Sequence, residues 1–136
     1  MQSPPLVPVL VSTAALFILG WLWYSPLLFF KPWMRLRGKD PVAAMAGAKM
    51  PGGKLVIELI RCFALSYLLA HLALGLELHG VGRAVHAGLF FWVTFPVILF
   101  TGAVLWDEMP WQLAAIHAGD WLVKLLVVPV ILVVMQ

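Results

Sequence analysis

Apolar side chains fill four stretches of the chain almost without a break, at residues 5–30, 54–75, 84–106 and 110–135, and polar residues gather between them. No stretch alternates apolar and polar positions with period two, so barrel strands are a poor fit. Each has about 20 residues or more, enough for an α-helix to cross a hydrocarbon core about 30 Å thick. The pattern predicts an all-α membrane protein: a single domain of four transmembrane helices in an antiparallel bundle.

The connections refine that picture. The first, residues 31–53, is the only long one. Within it Asp40 followed by Pro41 reads as a helix N-cap with proline at the first helical position. The sequence PVAAMAGAK then predicts a short helix on the membrane surface, ended by Pro51, Gly52 and Gly53; a plain connector is the alternative. The second connection, LELHGVGRAVH, is short and rich in glycine. The third, residues 107–109, is tight and predicts a hairpin of spans three and four. Pro110 suits the first turn of span four, with Asp107 or Glu108 as its cap.

Composition removes the soluble classes. Of 136 residues, 63% are hydrophobic and 11% charged, where a soluble domain carries about 25% charge. Mean hydropathy is +1.00. Lys31, Arg35, Arg37, Lys39, Lys49 and Lys54 place six of the nine Lys and Arg residues in the first loop and at its junction with span two. Beside apolar spans such a block predicts a cytoplasmic loop facing anionic lipid headgroups rather than nucleic acid. The expected location is the cell (inner) membrane, multi-pass, with both termini outside the cytoplasm. Trp21, Trp23, Tyr24, Trp33, Trp106 and Trp111 cluster towards the same side, as interfacial aromatics do; Trp21 and Trp23 could instead pack deeper between helices. The start, MQSPPLVPVL, has no basic segment and no small-residue cleavage site follows, so a removed signal peptide is not expected. Cys62 is the only cysteine, which excludes an intrachain disulfide and reads as a packing residue.

Candidate chemistry lies inside the spans. His117, Asp120 and Lys124 interrupt the last one. At steps of three and four they share one helical face, within an arc of about 60°, and Asp120 and Lys124 can pair. Charges at such depth cost roughly 2.5–3.5 kcal/mol each on insertion scales, so protein must compensate them. Ala114, Ala115, Ala118 and Gly119 let another helix approach closely. The triad is expected either to form an ion, proton or substrate site, or to be an ion pair that fixes helix register. Glu58 and Arg61 in span two read as an interfacial pair, or with Glu58 as a vestibule residue leading towards Asp120.

His71, His79, His86 and His117 lack metal-ligand spacing, and no HExxH or CxxCH motif is present. No nucleotide loop, catalytic serine elbow or kinase signature appears either. Neither a metal, a cofactor nor catalytic residues are therefore expected. Three functions compete. The first is proton- or ion-linked transport or conduction through a small, homo-oligomeric bundle, with Asp120 as the exchanging carboxylate, Lys124 as counter-charge and His117 as relay. The second is a structural or assembly protein whose charged helix face mediates oligomerisation. The third and weakest is a membrane enzyme or a quinone or haem binder using His71 and His117.

The run GWLWYSPLLFFKPWMRLRGKD resembles the opening signature of an uncharacterised bacterial membrane family, domain-of-unknown-function family 1761, in Gly20, Leu22, Trp23, Tyr24, Ser25, Pro26, Leu28, Phe29 and Trp33. The last span is similar to the family's in Ala118, Gly119, Leu122 and Val123, and departs at His117, Asp120 and Trp121. The resemblance covers nearly the whole chain. It implies a small four-helix membrane protein and supplies no function. Physically, Pro26 removes a backbone hydrogen bond and either kinks span one or ends it, with Tyr24 or Ser25 able to satisfy freed carbonyls.

Overall fold

A computed structural model describes residues 2–47 and 52–136. Lys49 of the basic loop and Pro51, the expected stop of its surface helix, lie outside the described residues. Seven α-helices occur among the described residues, with no strand: α1 (Leu6–Trp23), α2 (Phe30–Leu36), α3 (Pro41–Ala46), α4 (Gly52–Gly75), α5 (Val81–Trp92), α6 (Ile98–Trp106) and α7 (Trp111–Val134). A π-helical turn, Val93–Val97, joins α5 to α6. Four segments are long and apolar enough to cross a membrane: α1, α4, the continuous α5–α6 and α7. The chain is a multi-pass membrane protein.

The first span ends at Trp23, seven residues short of the expected limit at Phe30. The cause is the Trp-Tyr-Ser-Pro block. Pro26 cannot donate to the helix ladder, and the hydroxyl of Ser25 donates to the carbonyl of Leu22 at 2.6 Å. The backbone then folds back through Phe29 N–H to the Trp23 carbonyl at 3.1 Å. Of the two outcomes open for Pro26, the helix ends rather than kinks. The first loop holds a helix that the pattern did not predict, α2. Its Pro32 lies in the first turn, where the missing N–H has no intrahelical partner to lose. The expected helix follows as α3, with the Asp40 carboxylate accepting from Val42 N–H at 3.1 Å. Pro110 precedes α7 as its N-cap instead of sitting in its first turn, and neither Asp107 nor Glu108 supplies a side-chain cap there.

The third span begins at Val81, earlier than expected, and its π turn accommodates Pro96. Such turns arise where a donor is missing from the ladder. Thr94 donates to the Phe90 carbonyl at 2.7 Å, and Thr101 to that of Val97 at 2.6 Å.

Helix α7 is the hub, packed against α1 and α4 on one side and α5 on the other. Its end is held to the α4–α5 connection by Gln136, which donates to the Leu78 carbonyl at 2.9 Å. Further along, Gly88 meets Leu125 and Trp92 meets Ala118, so residue numbers rise along α5 as they fall along α7. The expected hairpin of spans three and four has this geometry. The core between α1, α4 and α7 contains Val9, Leu16, Leu69, Ala70, Leu125 and Val128. Trp106 and Trp111, 83% and 67% exposed, mark the basic end of the bundle.

Candidate functional site

Asp120 and Lys124 straddle the midpoint of α7, and both are buried, with 5% and 7% exposure. One helical turn apart, they meet as the sequence requires: Lys124 Nζ donates to Asp120 Oδ2 at 3.0 Å. The ammonium also lies over the Trp121 ring, 5.3 Å from its centroid, a second favourable contact for a buried cation.

The remaining partner comes from the far end of the sequence. Because α1 stops at Trp23, Tyr24 turns into the bundle at the depth of α7's polar face. Its hydroxyl lies 2.7 Å from His117 Nδ1 and 3.3 Å from Asp120 Oδ2. Four side chains thus form one chain of hydrogen-bonding groups: His117, Tyr24, Asp120 and Lys124. The tyrosine has a single proton and can donate it to only one neighbour at a time. Donation to Asp120 requires a proton on His117 Nδ1, which the tyrosine oxygen then accepts. Donation to His117 leaves the carboxylate to Lys124. The chain has two hydrogen-bond polarities, as a relay needs.

Aromatic packing fixes these groups. Tyr24 packs against the Trp33 ring of α2 at 4.7 Å between centroids, and Phe100 of α6 stacks on His117 at 5.7 Å. Trp23 donates from Nε1 to the Ile116 carbonyl at 3.0 Å, and Trp92 donates to that of Ala118 at 2.7 Å from the other side. Close approach depends on the small residues of α7: a Cβ on Gly119 would meet the Trp23 ring at 2.7 Å.

On α4, Arg61 pairs with Glu58 at 2.6 Å, with their side chains 60% and 38% exposed. An exposed pair of this kind contributes little to stability. Position matters more. Glu58, Arg61 and Lys54 share with Tyr24, His117, Asp120 and Lys124 the wall of one open cavity of about 620 Å³. Phe17 and Trp21 of α1, Phe30 and Trp33 of α2 and Trp121 of α7 supply its aromatic surface. Its mouth is bordered by exposed lining residues, Met45, Lys54 and Leu55 together with Trp21, Pro26 and Arg61. A smaller cavity of about 40 Å³ lies between Lys124, Glu58, Arg61 and Cys62, room for a water molecule.

The structure therefore brings together all five charged or ionisable residues that the sequence nominated: Glu58, Arg61, His117, Asp120 and Lys124. It does not bring His71 to His117. His71 stacks on Tyr67 of its own helix, at 6.5 Å between centroids, and His79 lies 3.1 Å from Gln136 Oε1. Tyr24, Trp33 and Lys54 were not singled out as site residues. The Trp-Tyr-Ser-Pro block was the available signal for Tyr24: a helix end inside an apolar run.

Comparison with known proteins adds a single relationship. A family model described as a protein of unknown function (DUF1761) matches residues 7–133. No curated protein and no solved structure matches the chain.

Proposed function

The chain belongs to this family of unknown function, and on that premise we propose that it is a proton- or ion-linked membrane transporter whose exchanging group is Asp120. The observation that carries this reading is the open cavity that ends on the buried Asp120–Lys124 pair. An ion pair needed only for helix register gains nothing from an open approach, whereas a transport site requires one. The His117–Tyr24–Asp120 chain supplies a route for protons to the carboxylate. The orientation that follows from the basic first loop puts the mouth on the cytoplasmic side.

The geometry favours a carrier over an open channel. Beyond Lys124 the space between α1, α4 and α7 is filled by Leu16, Leu125 and Val128, so passage requires those helices to move. It also favours transport over assembly. The charged face of α7 is covered within one chain by Tyr24 and by α4, and a second copy is not needed to compensate it.

The test is proton movement in proteoliposomes holding a pH-sensitive dye. Vesicles with the protein are expected to dissipate an imposed pH gradient faster than empty ones, and Asp120→Asn to remove the gain. Tyr24→Phe keeps the ring and deletes the hydroxyl; it should slow the process about five- to tenfold, the worth of one hydrogen bond of about 1–1.5 kcal/mol. Equal rates for wild type and Asp120→Asn would sink the proposal.

A further inference from the structure

The walls of the large cavity carry three cations, Lys54, Arg61 and Lys124, against two carboxylates, Glu58 and Asp120. Each carboxylate already has its cation, Arg61 for Glu58 and Lys124 for Asp120. Lys54, at the mouth, has no carboxylate within ion-pair distance among the described residues. The cavity is thus biased by one positive charge, and the rest of its surface is mainly aromatic and aliphatic. Its volume lies within the range of about 300–1,000 Å³ found for small-molecule sites. These properties suit an occupant with a flat apolar body and one negative charge.

The buried pair fixes how such an occupant binds. With Lys124 charged, the site at mid-depth is neutral only while Asp120 is ionised, and a net charge there is costly. When a hydronium ion gives its proton to Asp120 and leaves as water, the ion pair is lost and Lys124 is left uncompensated. A carboxylate from the cavity restores neutrality by taking the place of the Asp120 carboxylate at the ammonium. One proton and one anion then occupy the site together.

We infer that the cavity binds an amphipathic monocarboxylate, its head on Lys124 and its apolar body against Trp33 and Phe30, with one proton taken up by Asp120 for each anion bound. This rests on the transport reading and names its substrate class. The groups facing the pair are Tyr24 just past the end of α1, Glu58, Arg61 and Cys62 from α4, and His117 and Trp121 from α7. Arg37, at the end of α2, acts on His117 through space. Lys54 draws the anion to the mouth.

The experiment is calorimetric titration of the full-length protein in maltoside micelles with 2-naphthoate, and with neutral 2-naphthamide as its isostere. Repetition in buffers of different ionisation enthalpy counts protons. Wild type is expected to prefer naphthoate about tenfold, a difference of about 1.4 kcal/mol, and to take up one proton per anion. Asp120→Asn imitates the protonated acid; it should still bind naphthoate, with no proton uptake. Lys54→Gln should reduce the preference for the anion. Equal affinity for naphthoate and naphthamide, or the same proton uptake in Asp120→Asn as in wild type, would overturn the inference. Either result leaves the transport reading intact where Asp120→Asn still abolishes dissipation of the pH gradient. Repetition in nanodiscs with and without anionic lipid separates the sources of the head: competition by the lipid assigns it to a bilayer component, and its lack to a soluble acid.

Discussion

Lys124→Met is expected to lower stability by about 3–5 kcal/mol, the cost of stranding one member of a buried ion pair. The size follows from burial. Asp120 has 5% exposure, and its Oδ2 depends on Lys124 and on one long hydrogen bond from Tyr24. Methionine fills the volume of the lysine stem, so the loss reports charge rather than packing. The double variant Asp120→Leu with Lys124→Met removes both charges, and apolar replacement of a whole pair is neutral or stabilising by about 1–4 kcal/mol. The double variant should therefore unfold at or above the wild-type temperature in detergent, and should move no protons in vesicles. A single variant as stable as wild type would show that the pair is solvated, contrary to its burial. A double variant that is stable and still active would remove the pair from the transport mechanism.

How much of this was legible depends on how far apart the contributing residues lie. The Asp120–Lys124 pair could be read directly, because an i,i+4 spacing on a helix is local geometry. Glu58–Arg61 is legible for the same reason. That both pairs face one cavity is not, since it depends on the rotation and vertical offset of α4 against α7. Tyr24 was harder still. It reaches Asp120 across 96 positions, and does so only because α1 stops at Trp23. An apolar count that runs on through Pro26 to Phe30 hides that stop. Helix α2 was missed for a related reason: FKPWMRL contains a proline and two cations, and reads as loop unless Pro32 is placed in a first turn. The four spans were the safest reading, because uninterrupted apolar length needs no tertiary information.

The second large effect is expected at Gly88→Ala, which should destabilise the protein by about 1–3 kcal/mol, the usual range for overpacking. Gly88 is buried where α5 crosses α7, and a Cβ there would overlap the backbone carbonyl of Leu125. A backbone atom cannot swing aside as a side-chain tip can, so the helices must separate. The carbonyl is special because Pro129, four residues on, has no N–H to donate to it. An apolar interior offers no water in exchange. The bare face of Gly88 lets α5 come close to that oxygen. Ala84, one turn earlier and fully buried, extends the same small-residue seam. Separation at this crossing would also pull on the Trp92 bond to Ala118, one turn further along α5 and beside the polar face of α7. Gly88→Ala should thus lose transport along with stability. Gly102→Ala is the control: its Cβ meets nothing within 4 Å, and the gain in helix propensity of about 0.5–1 kcal/mol should leave it as stable as wild type or more so. Thermal unfolding in detergent measures both, and equal midpoints for the two variants would mean that α5 and α7 do not meet at Gly88.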